Sequence, residues 1–333
     1  MDFVQHIVLD GIETGLPYTL AFLGIWLTFR LQREFDLTVQ GTFPLGAAVV
    51  ASWTTAGYNV WFGLLLAAIA GAVAGTLTYF LMRILDLSLL LSSIIVGVGL
   101  YSVNLFVMGK PNESLYNTDN VVTQWGSVFP GQNETWASIE IFGLITVAIC
   151  VMVALFLRSE YGLAMRASGI NSAMIRANGA SPSLMLYLAV AGGNACVALS
   201  GALVAQQQQF ADVQMGNGTI IFGITAILVG EVVVFARDSG VRGVVAVLVG
   251  TLLYRIILAA TFRAGLPPLY FQGATSVLVI VLLFGRNARS QLRVLLRGLR
   301  GRRVRRGPPS VLSKGASAEQ ILPVNGPASS NRI

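Results

Sequence analysis

The sequence predicts an all-α fold, a polytopic membrane helix bundle of about nine spans (eight to ten), and three observations predict it. Hydrophobic residues make up 55 % of the chain, charged residues only 11 %, and mean hydropathy is +0.72. Apolar runs recur that are too long for the core of a globular domain. The charges gather between those runs, with arginine on every second connection.

Taken in order, hydropathy places spans over 11–29, 42–57, 59–82, 88–108, 138–157, 184–206, 218–235, 241–261 and 268–285. The start, "MDFVQHIVLDGIETG", is acidic and has no small-residue cleavage site, so the first span is expected to remain in the mature chain. Span 2 is short, roughly 24 Å as helix against a hydrocarbon core of roughly 30 Å, and Pro44 and Gly46 interrupt its beginning. A broken helix there needs surrounding protein or a water-filled pathway to satisfy its backbone. Between spans 4 and 5 lies the one long polar connection, "GKPNESLYNTDNVVTQWGSVFPGQNETW".

Between spans 5 and 6, "SEYGLAMRASGINSAMIRANGASPSL" (159–184) is half-polar. Asn171 can cap a short helix over "SAMIRAN", Gly179 supplies a left-handed stop, and Pro182 blocks continuation. Two turns cannot cross a membrane, and Arg166 and Arg176 hold the segment at a surface. Ile170, Met174 and Ala177 share a face, which suits docking into a groove of another protein as well as an ordinary interfacial turn.

The arginines set the orientation. If 159–183 is cytoplasmic, alternate connections put Arg30, Arg33, Arg83, Arg158, Arg166, Arg176, Arg237, Arg242 and the C-terminal tail inside, leaving Lys110 and Arg263 outside. An outside N-terminus and a cytoplasmic C-terminus follow. The tail, 286–333, carries eleven Lys and Arg against Glu319 alone, so the remainder of the chain is net −3. Its first part is basic with leucines at helical spacing, and its Pro/Ser/Gly/Ala-rich end reads as disordered. Anionic lipid at the cytoplasmic face is the expected partner of this tail rather than nucleic acid.

Nothing in the residues points to catalysis. His6 is the only histidine, no GxxxxGK[ST] loop is present, and Cys150 and Cys196 fall in apolar runs as small buried hydrophobes, with no metal or cofactor expected on this chain. Polar groups inside spans mark a candidate pathway: Asn104, Asn194, Gln206, Gln207, Gln208 and Gln209, with Pro44 at the short span. Small residues such as Gly192, Gly193 and Gly201 are expected at helix crossings. Glu231 and Arg255 are the two intramembrane charges, at depths that differ by roughly 15 Å along their helices. They are not expected to pair within one subunit; Arg255 is left to snorkel or to meet a second copy, and Glu231 to sit near an inner gate.

The segments "YGLAMRASGINSAMIRANGASPSLMLYLAVAGGNACVALSGALVAQ", "FDLTVQGTFPLGAAV" and "FADVQMGNGTIIFGITAILVGE" resemble the permeases of bacterial ABC importers of the branched-chain amino acid and ribose class, most of all its tryptophan-type subgroup. The resemblance covers about 12–285. It implies that 159–183 contains a coupling helix for a separate ATPase, with Arg166, Ile170, Asn171, Met174, Ile175, Arg176 and Gly179 as coupling residues. It also implies a permease dimer, two ATP-binding subunits that use ATP and Mg, and an extracytoplasmic substrate-binding protein. Independently, "DLTVQGTFPLGAAV" (36–49) and "DVQMGNGTIIFGITAI" (212–227) share an Asp, a Val-Gln-Gly turn and an apolar run on opposite sides, the pattern of an inverted-topology repeat.

Three classes are weighed: an importer permease driven by partner ATPases, an ion-coupled secondary transporter, and a scaffold without transport. A secondary transporter calls for buried carboxylates near the midplane, where the sequence offers only Glu231, toward one end. The permease is favoured. Its cargo is expected to be a small polar organic solute, an amino acid with an aromatic one favoured, or alternatively a sugar or nucleoside.

Overall fold

The computed structural model describes residues 2–116, 118–128, 133–234 and 240–263, together with Gly265 and Gly273. Among these residues eleven α-helices and two short strands follow one another: α1 (Asp2–Trp26), α2 (Val39–Thr55), α3 (Val60–Ile84), α4 (Leu89–Met108), β1 (Asn112–Ser114), α5 (Val121–Val128), α6 (Glu134–Phe156), α7 (Glu160–Ser168), α8 (Ser172–Ala177), α9 (Pro182–Gln208), β2 (Phe210–Asp212), α10 (Thr219–Val234) and α11 (Gly240–Arg263). A π-helical turn, Leu27–Gln32, continues α1. Each of the first eight apolar stretches coincides with a helix.

Among the described residues five helices, α3, α4, α6, α9 and α11, are long and apolar enough to cross a membrane, and α10 is a shorter apolar helix. The chain is therefore a polytopic helical membrane protein. The ninth stretch, 268–285, and the tail, 286–333, lie outside the described residues.

The starts of the helices are written in their caps. Asn59, Ser88, Ser159, Asn171 and Ser181 each accept a backbone N–H from the first turn that follows. Gly109 ends α4 in the left-handed conformation, and Gly179 (φ 82°) does the same after α8.

Packing centres on α9, buried along most of its length. Small residues let backbones touch. A Cβ on Gly46 of α2 would overlap the Ala198 carbonyl oxygen of α9, and one on Gly201 of α9 would overlap the Phe43 carbonyl oxygen. α3 lies along α9 through Gly71 and Gly75, while α11 lies along α1 through Gly11 and Gly15. α10 and α11 close in the same way through Gly230 and Gly250. Gly193 meets Gly24 of α1, as expected of a crossing; Gly192 is exposed, with nothing near its absent side chain.

At the end away from α7 and α8, β1 and β2 pair antiparallel, Asn112 opposite Asp212. This ladder ties the long polar connection to the chain just after α9.

Candidate functional site

The structure brings the polar interior together around the break between α1 and α2. Arg33 (φ 59°) turns the chain after the π-helical segment, and residues 34–37 re-enter the bundle. The Asp36 side chain is 7 % exposed. Its Oδ1 accepts from the Thr38 backbone N–H at 2.9 Å, and its Oδ2 accepts from Asn194 Nδ2 at 2.7 Å. Asn194 lies at the middle of α9, so this carboxylate sits deep in the bundle.

Two other helices hold the same break. The Leu37 backbone N–H donates to Ser93 Oγ of α4 at 3.0 Å, and the Thr38 and Thr78 hydroxyls, from the break and α3, lie 2.9 Å apart. One turn into α2, Asn104 Nδ2 of α4 donates to the Gly41 carbonyl at 3.0 Å. Irregular backbone at this depth is sustained only when such donors and acceptors are supplied by protein. Asn104 Oδ1 and Asn194 Oδ1 are buried without a hydrogen-bond partner, so both amides keep an acceptor in reserve.

The expected midplane shortage of carboxylates is thus corrected: Asp36, placed by sequence on an inner connection, lies in the interior. The Asp-Leu-Thr-Val-Gln-Gly motif was its signal, since an Asp two residues before a helix N-terminus makes an Asx turn wherever the chain is placed. Asp212 makes the same turn, accepting from the Gln214 backbone N–H at 2.6 Å ahead of α10.

The glutamines at the end of α9 divide. Gln206 is 1 % exposed; its carbonyl accepts from Asn120 Nδ2 at 2.8 Å, and its Oε1 faces the Val121 backbone N–H at 3.4 Å, so it anchors α5. Gln207 is half-buried, with Oε1 unpartnered. Gln208 and Gln209 are exposed, and Gln209 (φ 57°) ends the helix in the left-handed region. Pro44 lies inside α2, where its ring faces Gly216.

Glu231 is placed by an arginine that sequence did not single out. Arg30 of the π-helical turn reaches it bidentately, Nε to Oε1 at 2.6 Å and Nη2 to Oε2 at 2.9 Å. Arg255 keeps away from Glu231, as the depths require. Its guanidinium lies 3.4 Å over the Tyr18 ring, which also stacks on Phe43. Within this chain its contact is a cation–π one.

At the other end of α1, the α7–α8 hairpin presents the coupling candidates. Asn171 Oδ1 accepts from the Met174 backbone N–H at 3.0 Å, capping α8. Ile170 (71 % exposed) and Met174 (49 %) project outward. Ile175 is a correction: at 6 % exposure it faces the bundle and anchors α8, because two turns of helix can present only one face outward. Arg176 is exposed, Arg166 is half-buried, and Gly179 closes the hairpin.

A bundle of membrane-length helices around a broken, polar interior defines a multi-pass membrane protein. Residues 7–284 match the family of branched-chain amino acid transport system permease components, and the chain belongs to that family. In it the membrane subunit is not catalytic; separate ATPase subunits hydrolyse ATP. The chain is 29 % identical over 277 residues to a tyrosine transport system permease protein of Clostridioides difficile (strain R20291), covering 83 % of this chain and 90 % of that one. It is 30 % identical over 282 residues to an uncharacterized protein of Rickettsia prowazekii (strain Madrid E), with 84 % and 97 % covered. A fructose import permease protein of Bifidobacterium longum (strain NCC 2705) is 23 % identical over 277 residues, with 81 % and 72 % covered. No solved structure matches the chain.

Proposed function

We propose that the chain is the membrane-spanning permease of an importer that gives alternating access to a small polar organic solute, an amino acid with an aromatic one favoured. The observation that carries the reading is α8: a short capped helix with Met174 exposed on it and Ile170 exposed just before its cap, anchored by buried Ile175 and closed by the Gly179 stop. That is the form of a knob for a groove on a partner ATPase. The remaining parts are a second permease copy, two ATP-binding subunits using ATP and Mg, and an extracytoplasmic binding protein that delivers the solute. The N-terminus lies outside and the C-terminus in the cytoplasm, as the arginines require.

The two Asx turns at Asp36 and Asp212, each followed by a short helix, support an inverted repeat, as do the paired contacts of α3 with α9 and α11 with α1. Two such halves can rock about their shared interface. The interior offers amides and hydroxyls around one held carboxylate, which suits a solute of no strong net charge. The tyrosine transport relative favours an amino acid, and the fructose import relative keeps a sugar as the second reading.

Met174→Asp tests the docking surface without touching the Ile175 anchor. Expected is loss of ATPase co-purification from a chain that still inserts in the membrane; retention of the ATPase would sink the assignment of α8. The cargo is tested separately, by calorimetry of the cognate binding protein against amino acids, sugars and nucleosides. Heat with a sugar alone would move the reading from amino acid to sugar and leave the permease assignment in place.

A further inference from the structure

The end of α1 is joined to the α7–α8 hairpin by a side chain with no part in the pathway. Gln32 is the last residue of the π-helical turn, and its amide serves α7 twice. Nε2 donates to the Met165 carbonyl at 3.0 Å, and Oε1 accepts from Ser168 Oγ at 3.1 Å. Met165 belongs to the last turn of α7, and its carbonyl also lies 3.1 Å from Ser168 Oγ, so Gln32 adds a second donor there and closes a three-membered cluster with the two α7 groups. The backbones also touch. Gly169, directly after α7, lies so close to the Leu31 carbonyl oxygen that a Cβ there would overlap it. Arg30 meanwhile ties the same turn to α10 through Glu231.

Four residues beyond Gln32 stands Asp36, held by Asn194 at the middle of α9. One continuous path therefore runs from exposed Met174 through α7 and Gln32 to the interior break. The π-helical turn that ends at Gln32, directly before the break, is of a type found at functional joints, and it differs from an α-turn by one residue of register. Such a turn can give or take up a residue while keeping backbone hydrogen bonds, which makes it a two-state element rather than an elastic one.

We infer that Gln32 is the positioning residue that carries displacement of the α7–α8 hairpin into the interior break at 33–38. The inference rests on the reading of α8 as the docking site of an ATPase. When the partner moves α8, α7 moves with it, and Gln32 draws the π-turn along. The Asp36–Asn194 contact then opens or closes at mid-bundle.

The test uses the full chain with its ATPase in proteoliposomes. Glu34 is exposed at the mouth of the break, so a Glu34→Cys chain reports it by its rate of maleimide labelling, while Cys150 and Cys196 are buried. A non-hydrolysable ATP analogue should change that rate in the Glu34→Cys parent. The change should be lost when Gln32→Leu is added, with the ATPase co-purifying at undiminished yield. Gln32→Glu, which keeps the acceptor for Ser168 and loses the donor to Met165, should fall between. An undiminished nucleotide response in Gln32→Leu overturns the inference, as does a parent with no response. Loss of the ATPase from Gln32→Leu overturns it too, because Gln32 would then only hold the hairpin together. Met174→Asp keeps the two claims apart: an ATPase retained there defeats the docking reading, and the labelling result still judges Gln32.

Discussion

Asp36 and Asn194 form the contact on which the interior most depends, because a buried carboxylate is costly unless protein groups hydrogen-bond it. Replacing Asn194 by Leu removes the donor that α9 gives to Asp36 and leaves the charge in place. A loss of about 1–3 kcal/mol of stability is expected, read as a lower thermal midpoint of the detergent-purified chain. Asp36→Asn keeps the shape and removes the charge, so its stability should stay within about 1 kcal/mol of the parent. Equal damage from both replacements would mean that the charge itself is needed to hold α9 against the break.

Among the elements, α2 and α9 are set by glycine. Gly46→Ala puts a methyl group into the Ala198 carbonyl, so it should force the helices apart and abolish recovery of monodisperse protein. Gly192→Ala, ten residues along α9 from its start, meets open space and should purify like the parent. Equal yields from the two would contradict the α2–α9 crossing. This contrast shows what the sequence makes legible. The positions of eight helices, the α8 cap at Asn171 and the glycine stop after it follow from composition and local rules, since each depends on neighbours within a turn. Gln32, Arg30 and the interior placement of Asp36 do not, because their partners lie more than 130 residues away. A π-turn, too, has no periodicity of its own to read, and the outward side of a two-turn helix at Ile175 is decided by what it packs on.

At the scale of the molecule, charge is divided as sharply as hydropathy. The described bundle keeps its ionised pairs near its ends, Arg263 with Asp10 and Lys110 with Glu113 as well as Arg30 with Glu231, and the tail carries the cationic excess. Truncation after Arg289 should therefore leave the bundle assembled while weakening adhesion to vesicles of anionic lipid, and should flatten its salt dependence. Co-sedimentation at rising salt checks this; loss of ATPase co-purification on truncation would instead assign the tail to that partner.

The break at 33–38 also sets an order of synthesis. Thr78 and Ser93 reach it soon after it leaves the ribosome, but Asn194 is made more than 150 residues later. Until α9 arrives, a nascent chain would carry Asp36 into the bilayer without its side-chain donor, so the early helices are expected to linger beside the insertion machinery rather than disperse into lipid. Ribosome-stalled chains ending near residue 180 should cross-link from α2 to that machinery, and chains ending beyond residue 230, with α9 emerged, should release it. Equal release at both lengths would mean that the early helices satisfy the break without α9. The position of one asparagine would thus make the bundle's first third wait for its centre.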